Sequence, residues 1–176
     1  MNYRKFLFCI IVGCMMFCYT TLEAWAVDSE TTRRTLKDIQ GVMVITEELQ
    51  PNLTKYVKKN IPSKEVLQLA IELRLKKAGI KVLTYNEWLK LPGRPVLYVN
   101  INTHEHEKYW FVYNISLDLQ QIVFLESNPK SKALASTWSI NVTGITNIGS
   151  LGTIQYNILY LVDQFIGAYK SVNSKQ

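Results

Sequence analysis

The feature that most constrains the fold is a long segment, Tyr109–Leu125, in which almost every second residue is apolar. Alternation of this kind indicates a β-strand that buries one face and exposes the other. Such a strand needs neighbouring strands for its backbone and an apolar layer over its buried face. The chain is therefore predicted to build its core on a sheet. The polar residue Gln121 interrupts this alternation. The positions predicted to be buried are Phe111, Tyr113, Ile115, Leu117, Leu119, Val123 and Leu125.

Two segments are predicted to form the helices that cover this sheet. The first runs from Ser63 to Ala78, because Pro62 stops a helix before it and Gly79 suits the position after its end. The second runs from Ser150 to about Val172 and carries an apolar stripe at helical spacing. That stripe consists of Ile154, Ile158, Leu161, Val162, Phe165, Ile166 and Tyr169.

Short β-branched or alternating segments predict the remaining strands. Thr84–Leu91 is expected to form a short helix and His104–Lys108 a polar hairpin connection. A strand–helix–strand unit of the length found here favours a parallel, right-handed crossover. The predicted fold is α+β and two-layered, a mixed five-stranded sheet with two main helices on one face, in the order β-α-β-(α)-β-β-β-α. Besides Tyr109–Leu125, the strands are Gly41–Thr46, Ile80–Leu83, Val96–Thr103 and Trp138–Thr143.

The N-terminal segment has the pattern of an export signal. Arg4 and Lys5 precede an apolar run, Phe6–Leu22, and Ala24–Ala26 is a small-x-small cleavage site before a polar stretch. Residues 1–26 are therefore predicted to be a signal peptide, 27–35 a flexible segment, and 36–173 a single α+β domain. The expected location is exported, either periplasmic or secreted.

All the cysteines of the chain, Cys9, Cys14 and Cys18, fall within this leader. The processed chain is therefore expected to have no disulfide, thiol nucleophile or cysteine metal ligand. Two alternatives remain open for the leader. Ile11–Cys14 resembles a lipobox, which would make Cys14 a lipid anchor, and an uncleaved apolar run would be long enough to act as a membrane anchor.

The formal net charge of +6 suits an anionic partner such as a lipid headgroup or a cell-wall polymer, although ordinary solubilising charge gives the same excess. Nucleic acid is a poor fit for an exported chain. No Gly-x-Ser-x-Gly or His-Glu-x-x-His motif is present, so an enzyme is not favoured. The basic residues that could form a patch are Lys55, Lys58, Lys59, Arg74, Lys76, Lys77 and Lys81.

His104 and His106 are the candidate metal ligands. They are two residues apart, so both rings point the same way in an extended segment, and two imidazoles suit zinc, copper or nickel. Glu105 and Glu107 point away from them in that conformation, which leaves the ligand set incomplete. The alternative is a solvated hairpin tip, and no resident cofactor is expected.

A second candidate site is the polar face of the predicted sheet. Amide and hydroxyl side chains beside aromatic residues suit sugars or peptides, although any half-solvated antiparallel sheet shows the same alternation. The candidate binding residues are Asn100, Asn102, Asn114, Ser116, Asp118, Gln120, Ser139, Asn141 and Thr143.

Several segments resemble a group of small exported bacterial proteins of unassigned function. They are Leu73–Leu83, Pro92–Val99, Leu117–Leu125 and Leu161–Tyr169, and the likeness covers most of Gly41–Asn173. The predicted architecture is also loosely similar to small envelope domains such as the N-terminal domain of TolB. The resemblance implies export and this fold, and it carries no activity or catalytic residues.

The leading functional hypothesis is a non-enzymatic binding or assembly module of the bacterial cell envelope, with an envelope protein or an anionic cell-wall polymer as its partner. Two alternatives come from other classes. One is a metal-dependent hydrolase built on His104 and His106, and the other is an adaptor tethered to the membrane through the leader.

Overall fold

The computed structural model describes residues 28–56 and 61–173, so the predicted leader lies outside the described residues. The described part is α+β, as predicted, with five α-helices and one mixed sheet of four strands. The helices are α1 (Glu30–Arg33), α2 (Pro51–Thr54), α3 (Lys64–Lys77), α4 (Tyr85–Lys90) and α5 (Gly152–Asn173). The strands are β1 (Met43–Thr46), β2 (Val96–His106), β3 (Trp110–Leu125) and β4 (Asn128–Asn147).

The strands lie in the order β1-β2-β3-β4, with β1 parallel to β2 and the other neighbours antiparallel. The prediction of a fifth strand at Ile80–Leu83 is wrong, because that segment makes only an isolated parallel bridge between Val82 and Val42. The reason is local. Thr84 caps α4 immediately afterwards, so too few extended residues remain to build a ladder.

Two strand boundaries also differ from the prediction. His104 and His106 belong to β2, and the connection to β3 is the turn Glu107–Tyr109, in which Glu107 and Lys108 have positive φ angles of 47° and 41°. The second difference is that β4 begins at Asn128, ten residues before the predicted start at Trp138. Pro129 is compatible with this position because β4 is an edge strand, whose outward N–H groups need no partner in the sheet.

The core lies between the sheet and the two long helices. From α3 the buried residues are Leu67, Ile71 and Leu75. The predicted burial of Leu117, Leu119 and Phe165 is confirmed, whereas Ile166 is only partly buried. Apolar residues of α3 and α5 thus cover one face of the sheet and leave the other without a helix among the described residues.

Gln121, which breaks the apolar alternation of β3, is explained by a β-bulge in β4. The register shifts between Leu119 and Gln120, so Thr137 is the extra residue. The Gln121 side-chain amide donates to the carbonyl of Thr35 at 3.1 Å and to the hydroxyl of Thr137 at 2.9 Å. A polar residue on the core side is therefore satisfied where the ladder is interrupted.

The cap of α4 gives a first testable prediction. Lys81 Nζ lies 2.7 Å from Glu87 Oε1, and the Thr84 backbone N–H donates to Glu87 Oε2 at 2.9 Å. These contacts, that with Lys81 first, lower the pKa of Glu87 to about 2. Because the folded pKa lies below the unfolded value, the carboxylate stabilises the fold above the unfolded pKa and that contribution is lost as the pH falls towards 2.

An NMR titration of the Glu87 side chain is expected to show this low pKa, and Lys81→Ala should raise it towards the ordinary value. Lys90→Ala, on the same helix, is the control and should leave the titration unchanged. A Glu87 pKa that does not respond to Lys81→Ala would contradict this description of the cap.

Candidate functional site

The candidate site is the uncovered side of the sheet, here called the open face. It comprises the side chains at even-numbered positions of β2 and β3 and at odd-numbered positions of β4 from Ser139 to Asn147. Antiparallel pairing places these side chains in rows that cross three strands. Three successive rows are Asn102–Asn114–Thr143, Asn100–Ser116–Asn141 and Tyr98–Asp118–Ser139.

The structure places all nine predicted polar residues on the open face. Eight of them fill the three rows, Tyr98 completes the third row, and Gln120 lies opposite Val96 and Ser136 in the next one. Their proximity follows from a register that the sequence did not reveal. Their role in binding stays a prediction.

A chain of side-chain hydrogen bonds fixes the amides at the β1–β2 end of the rows. The Asn102 amide donates to Asn100 Oδ1, and the Asn100 amide donates to Glu47 Oε2. Gln50 Nε2 in turn donates to Asn102 Oδ1 at 3.3 Å. These contacts orient each amide before any ligand arrives.

Glu47 is a functional candidate that the sequence analysis missed. Glu47 and its neighbour Glu48 have different partners, since Glu47 accepts from Asn100 whereas Glu48 pairs with Lys64. The missed signal is that Glu47 directly follows β1. A parallel β1–β2 pair brings this position beside the Asn100 row.

Asp118 provides a second carboxylate on the open face. Its two oxygens accept hydrogen bonds from Ser116 Oγ and Ser136 Oγ, each at 3.0 Å. Tyr98 lies between the two carboxylates. Burial raises the pKa of Tyr98, and the negative charges of Glu47 and Asp118 raise it further. The open face therefore carries carboxylates at Asp118 on β3 and at Glu47 beside its β1 end.

One end of the open face is apolar and aromatic. Trp110 is 42% exposed and Ile145 59% exposed, and Val112 lies next to both of them in the rows. His106 faces Trp110 across the β2–β3 pair, and His104 faces Val112. The indole ring of Trp110 thus lies on the same face as the rows of amides and hydroxyls, with the His104–Val112–Ile145 row between them.

The histidine pair is the metal candidate, and the structure supplies it with few additional donors. Glu105 lies on the other side of β2 and binds Lys55 at 2.8 Å. Glu107 Oε1 approaches His106 Nε2 at 3.6 Å. Within residues 28–56 and 61–173, no group of three or more histidine, cysteine or acidic residues could hold a metal ion. The pair offers two nitrogen ligands, fewer than zinc sites in proteins use.

Zinc titration gives a second testable prediction. Isothermal titration of the protein lacking residues 1–26 with zinc is expected to show binding weaker than micromolar, because two exposed imidazoles hold the ion poorly. The His104→Ala/His106→Ala double variant is the comparison. Sub-micromolar binding that the double variant abolishes would contradict the prediction and would favour the metal-dependent hydrolase.

The predicted basic residues are mostly paired with carboxylates in the described part of the chain. Lys55, Arg74, Lys76 and Lys81 each lie within ion-pair distance of a carboxylate, whereas Lys77 is exposed and has no such salt bridge among the described residues. Lys58 and Lys59 lie outside the described residues. The four ion-paired positions therefore offer little free charge to an anionic polymer.

A groove of about 580 Å³ lies on the opposite side of the molecule, between α3 and α5. Arg74 spans it with a two-pronged ion pair to Asp163, in which both N–O distances are 2.6 Å. Asp163 therefore serves as an ion-pair partner that joins α5 to α3. Because each of these groups is already bound to the other, the groove offers no free acid or base from this pair.

Compared with known protein families and curated proteins, the chain matches no family model and no curated sequence. The resemblance to exported bacterial proteins and to the TolB domain therefore stays a prediction. In the described part of the chain, no helix is both long enough and apolar enough to cross a membrane. Function is therefore inferred from the geometry of the open face.

Proposed function

We propose that the chain is a non-enzymatic binding module of the bacterial cell envelope and that the open face binds its ligand. The supporting observation is the set of three rows that cross β2, β3 and β4, in which neutral amides and hydroxyls repeat at fixed spacing. The side chains of these rows form a grid, because neighbouring strands lie about 4.8 Å apart and successive rows about 7 Å apart. A repeating grid suits a repeating polymer.

The chemistry of the grid favours a neutral, hydroxyl-rich polymer, which means a glycan. Each asparagine both donates and accepts hydrogen bonds, as a sugar hydroxyl does. Trp110 adds a partly exposed ring against which the apolar side of a sugar can lie. The negative charges of Glu47, at the β1 end, and Asp118, on β3, would repel an anionic polymer.

The hydrogen bonds of the two carboxylates support binding over glycoside hydrolysis. Glu47 accepts a hydrogen bond from the Asn100 amide, and Asp118 accepts from Ser116 Oγ and Ser136 Oγ. Both groups thus hold neighbouring side chains of the open face in place.

Co-sedimentation with insoluble neutral glycans tests the proposal. The exported protein is expected to pellet with chitin or cellulose, and Asn102→Ala/Asn114→Ala should weaken the binding about tenfold or more, since each lost hydrogen bond costs roughly 1 kcal/mol. The matched control is Gln155→Ala/Gln164→Ala on α5, which should bind as the wild-type protein does. Failure to pellet with either glycan, or equal loss in both variants, would contradict the proposal.

A further inference from the structure

The two edges of the sheet differ in the length of strand that lacks a neighbouring strand. The β1 edge has four residues, and the bridge between Val42 and Val82 lies beside it. The β4 edge belongs to a strand of 20 residues. An edge strand presents unpaired N–H and C=O groups along its length, which makes it a template for another strand.

The first half of β4 is protected against such pairing. It contains Pro129, Lys130 and Lys132, and the bulge at Thr137 ends it. Each of these features is a known way to block an edge. The N-terminal segment also reaches β4 at this point, because Thr35 Oγ1 donates to the Thr137 carbonyl at 3.2 Å.

The second half of β4, Ser139–Asn147, lacks these features. It contains no proline and no charged residue, and the uncharged stretch extends from Ala133 to Val162. It is rich in β-branched residues, which favour strand pairing, namely Ile140, Val142, Thr143, Ile145 and Thr146. Among the described residues, its partner in the sheet is β3 alone. The features that block edge pairing are therefore confined to the part of β4 before the bulge, and the regular ladder after it lacks them.

We propose that a second copy of this chain pairs with Ser139–Asn147, antiparallel and edge to edge about a two-fold axis. Backbone hydrogen bonding admits only an extended strand on such an edge. An uncharged edge meets its own copy without like-charge repulsion, and a two-fold contact requires a surface that is complementary to itself. A foreign peptide would gain specificity from pockets for alternate side chains, and the described grooves are lined by residues outside this segment.

This pairing joins two four-stranded sheets into one of eight strands. In a continuous antiparallel sheet the two-fold axis is perpendicular to the strands and to the sheet, so both open faces lie on the same side. The exposed side chains of Asn141, Thr143 and Ile145 then lie beside those of the second copy. The dimer therefore presents a single polar face, whatever ligand that face binds.

Sedimentation velocity on the exported, purified protein tests the dimer. The wild-type protein is expected to sediment as a dimer at about 100 μM, well above the micromolar dissociation constant expected of a modest interface. Asn141→Lys/Thr143→Lys should be monomeric because it brings like charges together. The corresponding double glutamate variant should also be monomeric alone, and an equal mixture of the two variants should restore the dimer.

The control carries the same charge change on the other layer, as Gln155→Lys/Gln164→Lys on α5, and should remain dimeric. A monomeric wild-type protein, a dimer that persists in the lysine variant, or a mixture that stays monomeric would overturn the proposal. If the charged variants fail to fold, cross-linking of a Thr143→Cys variant tests the dimer instead. The introduced cysteine is then the only thiol of the exported protein, because the native cysteines all precede Val27. A disulfide-linked dimer supports the proposal, and monomer alone under oxidation overturns it.

Discussion

Phe165→Ala is expected to lower the free energy of unfolding by about 3–5 kcal/mol, from lost burial and the cavity left behind. Phe165 is fully buried on α5, and its ring packs edge-on against Trp138 of β4 with 5.4 Å between centroids. A second ring, that of Tyr169, lies 6.3 Å away. The substitution therefore removes the contact that joins α5 to the edge strand of the sheet.

Urea unfolding of the two proteins measures this loss. Tyr156→Ala is the matched control, since it removes an aromatic ring from the same helix where the side chain is 69% exposed. It should change stability by no more than about 0.5 kcal/mol. A loss below about 1 kcal/mol for Phe165→Ala would mean that α5 does not pack on the sheet in this way.

Gly144→Ala should destabilise the fold by about 1–3 kcal/mol, the usual range for overpacking a core. Gly144 lies in β4 opposite Tyr113, whose ring passes over it. A Cβ atom at this position would lie 2.4 Å from Tyr113 Oη and 2.5 Å from Cζ. The ring is held in place because Asn157 Nδ2 donates to the Tyr113 hydroxyl at 2.7 Å, so relief would require breaking that bond.

Gly167→Ala is the matched control for this prediction and should change stability in the opposite direction. Gly167 lies within α5, and an added Cβ would meet nothing within 4 Å. Replacing glycine by alanine inside a helix typically stabilises it by about 0.5–1 kcal/mol. Thermal unfolding of the two variants beside the wild-type protein decides the matter, and equal destabilisation in both would contradict the close contact at Gly144.

The parts of the fold that depend on a regular period could be predicted from the sequence. The alternation in Tyr109–Leu125 gave β3 to within one residue, because a strand buried on one face must repeat every second residue. The same alternation placed the polar residues of β3 on the opposite face. The stripe that predicted a helix over Ser150–Val172 likewise corresponds to α5, which begins two residues later.

The parts that depend on pairing could not be predicted. The first ten residues of β4 have no apolar alternation, and the bulge at Thr137 shifts the period before Trp138. Pairing with β3 holds that half in the sheet, which a single segment of sequence does not reveal. The same holds for Glu47, whose place beside Asn100 depends on the parallel register of β1 and β2.

The most direct test of the open face as a ligand surface is an NMR titration of the protein lacking residues 1–26 with a neutral chito-oligosaccharide. The side-chain amide signals of Asn100, Asn102 and Asn114 and the indole signal of Trp110 are predicted to shift together with increasing ligand. An anionic oligosaccharide of equal length should shift them much less. Shifts confined to the groove between α3 and α5, or no shifts with the neutral sugar, would contradict the account.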